Sequence, residues 1–237
     1  MKIGLVPHSW SLTPRQAIAV QKRLASRVAQ TKPPGELRFI AGLDAAFSHD
    51  GERCISAVVL WDLRQRKVME QRVSARRLQF PYIPGLLSFR EMPALLAALR
   101  KLKQTPDAVV CDGQGLAHPR RFGIACHVGV VLDLPAIGCA KSRLVGTHDE
   151  PKLQRGSRAP LTDKEEVIGT VLRTKTGIKP VYVSVGHRMD LATAERIVLD
   201  CAIRFRLPEP TRLADRLVAA AKRARGSDRS DQSESHC

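Results

Sequence analysis

LRFIAGLDAAFSHDGERCISAVVLWDLRQRKVMEQRVSA, residues 37–75, holds three runs rich in apolar and β-branched residues, separated by two short polar links. The runs 37–47, 52–63 and 66–75 have strand length. HDG (49–51) and RQ (64–65) are short enough for hairpins, so the segment predicts an antiparallel three-strand meander. Downstream the punctuation changes. PDAVVCDG (106–113), LPAIGCAK (134–141) and KPVYVSVGHRM (179–189) predict short buried strands. Helices are expected over 89–103, 118–133, 190–206 and 209–225. Upstream, Thr13 as N-cap and Pro14 at the first helical position open an amphipathic helix over 13–30, which KPPG (32–35) ends. Strands alternating with helices after a meander give an α/β class, a mixed sheet of antiparallel and parallel strands flanked by helices. No linker divides the chain, so 1–225 reads as one domain, and the polar stretch 226–237 as a disordered tail.

With 237 residues and 43% hydrophobic composition the chain can bury a real core. Its formal net charge of +16 favours a polyanionic partner, above all nucleic acid, without separating a nuclease from a passive binder. The six cysteines show no zinc spacing. Cys54, Cys111, Cys126, Cys139 and Cys201 lie mostly in apolar runs and read as small buried hydrophobes in a reducing compartment. With no signal-peptide or membrane-length apolar run, the expectation is a cytoplasmic protein with no membrane partner, acting as a monomer.

Asp44 shares a strand face with Ile40, Gly42 and Ala46, where a carboxylate is costly unless paired or bound to a cation. A strand-end aspartate bonded to a turn is the alternative. Asp112 ends an apolar strand before Gly113, a place where α/β sheets gather ligands and also a plain Asp-Gly turn. Two such aspartates on neighbouring strands could chelate one Mg²⁺. Glu91 follows Ser88 by three residues, a spacing that equally makes a helix capping box. His187 stands at a strand end, where it could orient a water or assist a leaving group; His118 lies in GQGLAHPRR. A lone histidine is more often structural. Around Tyr82, the prolines of PYIPG (81–85) build either a wedge that enters a base stack or a rigid core-facing turn. Lys141 opens the basic stretch 141–158, which is a solvated loop or hairpin, or the place where phosphate contacts concentrate.

AGLDAAF, PYIPGLLSFRE, VVCDGQGLAHPRRFGIACHVGV, IGCAKSRLVG and SVGHRMDL, in this order, resemble the endonuclease V family from about residue 10 to residue 215. The resemblance implies a ribonuclease H-like fold and a repair endonuclease that recognises deoxyinosine and cuts the second phosphodiester bond 3′ to it. It implies Asp44 and Asp112 as ligands of Mg²⁺, with Mn²⁺ able to substitute. Glu91 becomes the third acidic group and His187 a further active-site residue. Tyr82 becomes a DNA wedge, held by Pro81, Ile83 and Pro84. Gly85, Leu87, Gly113, Gly123 and Ile124 would line the base pocket, with His118 and Lys141 near the cut strand. Phe47 departs from the tyrosine common in relatives. Inosine-containing RNA stays open as a substrate. Two other readings remain: another ribonuclease H-like nuclease, and a non-catalytic nucleic acid-binding module.

Overall fold

The computed structural model describes the backbone of residues 1–233 and the side chains of residues 1–224. The meander forms as the sequence predicts: β1 (Phe39–Phe47), β2 (Arg53–Asp62) and β3 (Lys67–Arg77) pair antiparallel. Then β4 (Ala108–Cys111) and β5 (Ala136–Ala140) add parallel to β1, on its other side. The helices between them are α2 (Leu87–Leu99) and α3 (Ile124–Leu132), and α1 (Pro14–Ala25) precedes the sheet. Thr13 caps α1 through a box with Gln16, and Pro14 occupies the first turn, where its missing N–H costs nothing.

The sequence reading left two strands out. β6 (Arg158–Asp163) and β7 (Glu166–Leu172) form a hairpin that joins β8 (Val181–His187) and widens the sheet to eight strands, in the order β3-β2-β1-β4-β5-β8-β7-β6. The hairpin turns at Lys164 and Glu165, both with positive φ (52° and 67°). Two-residue turns of this kind usually advertise themselves with Asn or Gly, so this one was hidden by its residues. Pro160 sits on the outermost strand, where a missing donor is tolerated.

Two helical layers cover the sheet. Ala41, Leu43, Val58, Leu60, Val109 and Cys111 pack with residues of α2 and α3 on one face. On the other, Ile55, Ala57 and Val59 pack with Ala214 and Val218 of α5 (Glu209–Ser233), while α4 (Leu191–Cys201) lies against β7 and β8. A Cβ on Gly42 would lie 2.1 Å from the Pro210 carbonyl carbon, so β1 and the start of α5 meet backbone to backbone. The backbone of α5 runs to Ser233, past residue 226 where the polar tail was expected to begin; residues 234–237 of that tail lie outside the described ones. Five free cysteines are buried, in keeping with their apolar surroundings in sequence. Among the described residues no helix is long and apolar enough to cross a membrane.

Candidate active site

Leu43 pairs with Cys111 in the parallel β1–β4 ladder, so Asp44 of β1 and Asp112, the residue after β4, stand side by side toward the C-terminal end of these two central strands. The Asp112 N–H donates to the Leu43 carbonyl at 3.3 Å. A cavity of about 640 Å³ opens there, and Glu91 enters it from α2. Burial pushes the Asp44 carboxyl up to about 7, and the charges of Asp112 and Asp215 add to the rise. Glu91 is only 8% exposed; burial, then Asp44 and Asp112, push it up to about 8. Lys141, directly after β5, meets Asp112 Oδ2 with its Nζ at 2.5 Å and opposes the rise at Asp44.

The capping reading of Glu91 fails. The chain enters α2 through Leu86, which makes no side-chain cap, so Ser88 already lies inside the first turn. Its Oγ is bonded to Nδ1 of the buried His127 at 2.9 Å. The turn at 81–85 divides its side chains. Ile83 packs inward on Phe80, Leu86 and Phe89, whereas Tyr82 is 68% exposed at the cavity mouth. Tyr82, Ile83 and Pro84 line the cavity; Pro81 does not. Gly85, Leu87, Gly113, Gly123 and Ile124 all line it. Gly113 lies so close to Ile124 that a Cβ there would meet its Cγ2 at 2.7 Å.

The structure separates the two histidines that the sequence put at the site. His187 does not line this cavity. β8 runs antiparallel to β5, and His187 lies opposite Ala136, the first residue of β5, whereas Lys141 follows the last. The strand-end rule that pointed to His187 holds for strands parallel to β1 and reverses for β8. Its Nδ1 accepts from the Ala29 N–H at 3.2 Å and its Nε2 faces Asp133 Oδ1 at 3.3 Å, a cross-brace at the far end of the sheet. His118 does line the cavity, with both ring nitrogens engaged by the protein. Its Nδ1 accepts from the Arg120 N–H at 3.1 Å, which leaves Nε2–H to donate to the Gly85 carbonyl at 3.0 Å. Burial and the neighbouring Arg120 push its pKa down to about 4, so the ring is neutral.

One acidic residue was missed. Asp215 of α5 lines the cavity with Val218, Ala219 and Lys222 and bears electrostatically on Asp44. In sequence it stands between Ala214 and Arg216 on an amphipathic helix and reads as an ordinary surface acid. Only the packing of α5 against Gly42 brings it to the carboxylates.

The donor set suits a hard divalent cation: the carboxyls of Asp44 and Glu91, raised by burial and then by their acidic neighbours, stand where a counter-charge is called for. No three of His, Cys, Asp or Glu among the described residues are close enough to form a closed cage. A Mg²⁺ site needs none, since one or two carboxylates, waters and a phosphate suffice.

Residues 22–216 match the family model described as Endonuclease V. The chain is 49% identical over 210 residues to the endonuclease V of Roseiflexus sp. (strain RS-1), covering 89% of this chain and 94% of that one. The crystal structure of endonuclease V from Streptomyces avermitilis superposes with a TM-score of 0.88 at 41% identity, covering 93% of this chain and 98% of that one. At 24% identity and a TM-score of 0.78, the Ciona intestinalis endonuclease V shares the fold over 89% of this chain and 98% of its own; that protein was crystallised with a 24mer DNA containing an inosine followed by a ribo-adenosine.

Proposed function

The chain belongs to the endonuclease V family, and from that premise we propose that it repairs DNA by cutting beside deoxyinosine, hydrolysing the second phosphodiester bond 3′ to the lesion and leaving a 3′-hydroxyl and a 5′-phosphate. The observation that carries the reading is the meeting, in one cavity, of the coupled carboxylates Asp44, Glu91 and Asp112 with a glycine-lined recess and the exposed Tyr82. A junction-cutting or hybrid-cutting nuclease would need the carboxylates but not the recess. The inosine-containing DNA held by the Ciona protein supports the same choice of lesion.

Tyr82, on its proline-stiffened turn, wedges into the base stack, and the extruded hypoxanthine enters the recess of Gly85, Leu87, Gly113, Gly123 and Ile124. Hypoxanthine lacks the 2-amino group of guanine and carries an oxygen where adenine has its 6-amino group, so the recess would tell it from guanine by size and from adenine by hydrogen bonding. A base held beside the carboxylates rather than over them would put the cut at a bond displaced from the lesion. Asp44 and Asp112 would hold Mg²⁺, or Mn²⁺ in its place. When bound, such an ion lowers the pKa of a coordinated water and neutralises charge on the phosphate. Glu91, pushed up to about 8 by burial, holds its proton near neutral pH in the metal-free cavity, and a bound cation would draw it down to a carboxylate able to take one. Lys141 Nζ, already drawn to Asp112, is available to a non-bridging phosphate oxygen. Asp215 adds a fourth negative charge to the cation's surroundings. The catalytic unit is residues 1–225.

The test is a duplex labelled on one strand, carrying a single deoxyinosine, incubated with Mg²⁺ or with EDTA beside an undamaged control and an inosine-bearing RNA. A Mg²⁺-dependent nick mapped to the second bond 3′ of the lesion is expected. Equal cutting of damaged and undamaged duplexes would overturn the reading.

A further inference from the structure

The carbonyl oxygen of Gly85 receives three side-chain donors: Gln21 Nε2 at 2.9 Å, His118 Nε2 at 3.0 Å and Arg120 Nη2 at 2.8 Å. A backbone oxygen offers two lone pairs, so this one is held more tightly than satisfying it requires. The donors also hold one another. Arg120 Nε donates to Gln21 Oε1 at 2.6 Å, the Arg120 N–H donates to His118 Nδ1, and Gln21 Nε2 also reaches the Phe122 carbonyl at 3.1 Å. Gln21 and His118 are buried, and the half-buried Arg120 reaches in beside them, where burial lowers its pKa. Directional hydrogen bonds fix where the carbonyl points in a way that apolar packing would not.

Gly85 is the junction between two working parts. The turn Ile83–Leu86 is closed by the Leu86 N–H donating to the Ile83 carbonyl at 2.9 Å. Pro84 in second place and Gly85 in third, at φ +78°, make it type II, a conformation that wants glycine there. Upstream stands Tyr82. Downstream, the first N–H groups of α2, on Leu87 and Ser88, have no intrahelical partner, and both residues line the cavity.

We infer that Gln21, His118 and Arg120 are positioning residues for lesion capture: their grip on the Gly85 carbonyl fixes the wedge turn and the opening amides of α2 against the recess before nucleic acid arrives. The inference rests on the proposed reading of the cavity. Preorganisation of this kind acts on selective binding more than on the chemical step.

The variants are Gln21→Met, Arg120→Met and Arg120→Lys in the full chain. With Ca²⁺ replacing Mg²⁺ and product confirmed absent, the Kd ratio between undamaged and deoxyinosine-bearing duplex is measured for each folded variant. Single-turnover cleavage in Mg²⁺ at saturating protein is then measured beside it. The expected result is a Kd ratio lowered about tenfold or more in Gln21→Met and Arg120→Met and partly restored in Arg120→Lys, with a smaller loss in the saturated rate. A ratio equal to that of the wild type in both methionine variants overturns the clamp while leaving the proposed function standing. A wild-type protein that binds both duplexes alike overturns the proposed function and the clamp with it.

Discussion

Two carboxyls that keep their protons close to neutrality tie the protein's stability to pH and to divalent cations. The folded values, about 7 for Asp44 and about 8 for Glu91, lie above the ordinary 3.8 and 4.5. The folded state therefore binds more protons than the unfolded one across that interval. The stabilising contribution is full below the unfolded values and is lost as pH rises through the folded ones. In EDTA the thermal midpoint of the wild type, relative to Asp44→Asn, is expected to fall between about pH 5 and pH 8, and Mg²⁺ should raise it more at pH 8 than at pH 5. A relative midpoint that rises over the same window would contradict the burial of these groups. Lys141→Ala should lose about 10²- to 10³-fold in single-turnover rate, the usual effect of removing one donor to a developing charge. At this scale the sequence was legible where a residue type clashed with its surroundings: Asp44 and Asp112 stood out as acids in apolar strands. It was opaque where the residue suited its neighbourhood. Asp215 looked like any helix-surface acid, and His187 looked like a strand-end group able to orient a water until the direction of β8 was known.

The elements that build the site depend on one close contact. β1 and α5 touch at Gly42, and α5 brings Asp215, Val218 and Lys222 to the cavity. Neither neighbour at Gly42 is a flexible side chain that could give way, since Pro210 and Thr211 present backbone. Gly42→Ala is therefore expected to shift the helix, lower stability by about 1–3 kcal/mol as overpacked sites do, and reduce cleavage more than that loss explains. Denaturant melts beside single-turnover rates check it; an unaltered rate and midpoint would mean that α5 contributes nothing to the site. The meander, the parallel strands and the capped α1 were readable because apolar periodicity, short links and capping residues agreed with one another. The β6–β7 hairpin was not, because Lys164 and Glu165 occupy turn positions that normally go to Asn or Gly. The start of α2 was misjudged by a similar route. Ser88 and Glu91 have capping-box spacing, but the Pro84–Gly85 turn starts the helix earlier and frees Glu91 for the cavity.

For the molecule as a whole, a charge of +16 makes binding to any duplex strong and salt-sensitive, so selectivity has to be read against that background. Each phosphate neutralised contributes about 0.9 to the slope of log K against log salt for duplex DNA, so Lys141→Ala should lower the slope by about 1 if Lys141 meets a phosphate. Titrations from about 50 to 200 mM salt check this, and an unchanged slope would remove Lys141 from the phosphate contacts. On the proposed function, hydrolysis takes place in the cavity at the C-terminal ends of β1 and β4, which α2 and α5 flank, and not at the far end of the sheet where His187 lies. The most direct measurement compares single-turnover cleavage of a deoxyinosine duplex by the wild type, Asp44→Asn and His187→Gln, with thermal midpoints taken beside the rates. The account predicts that Asp44→Asn loses roughly three orders of magnitude or more while staying folded, and that His187→Gln stays within about threefold of wild type. Activity abolished in a folded His187→Gln and retained in Asp44→Asn would contradict it.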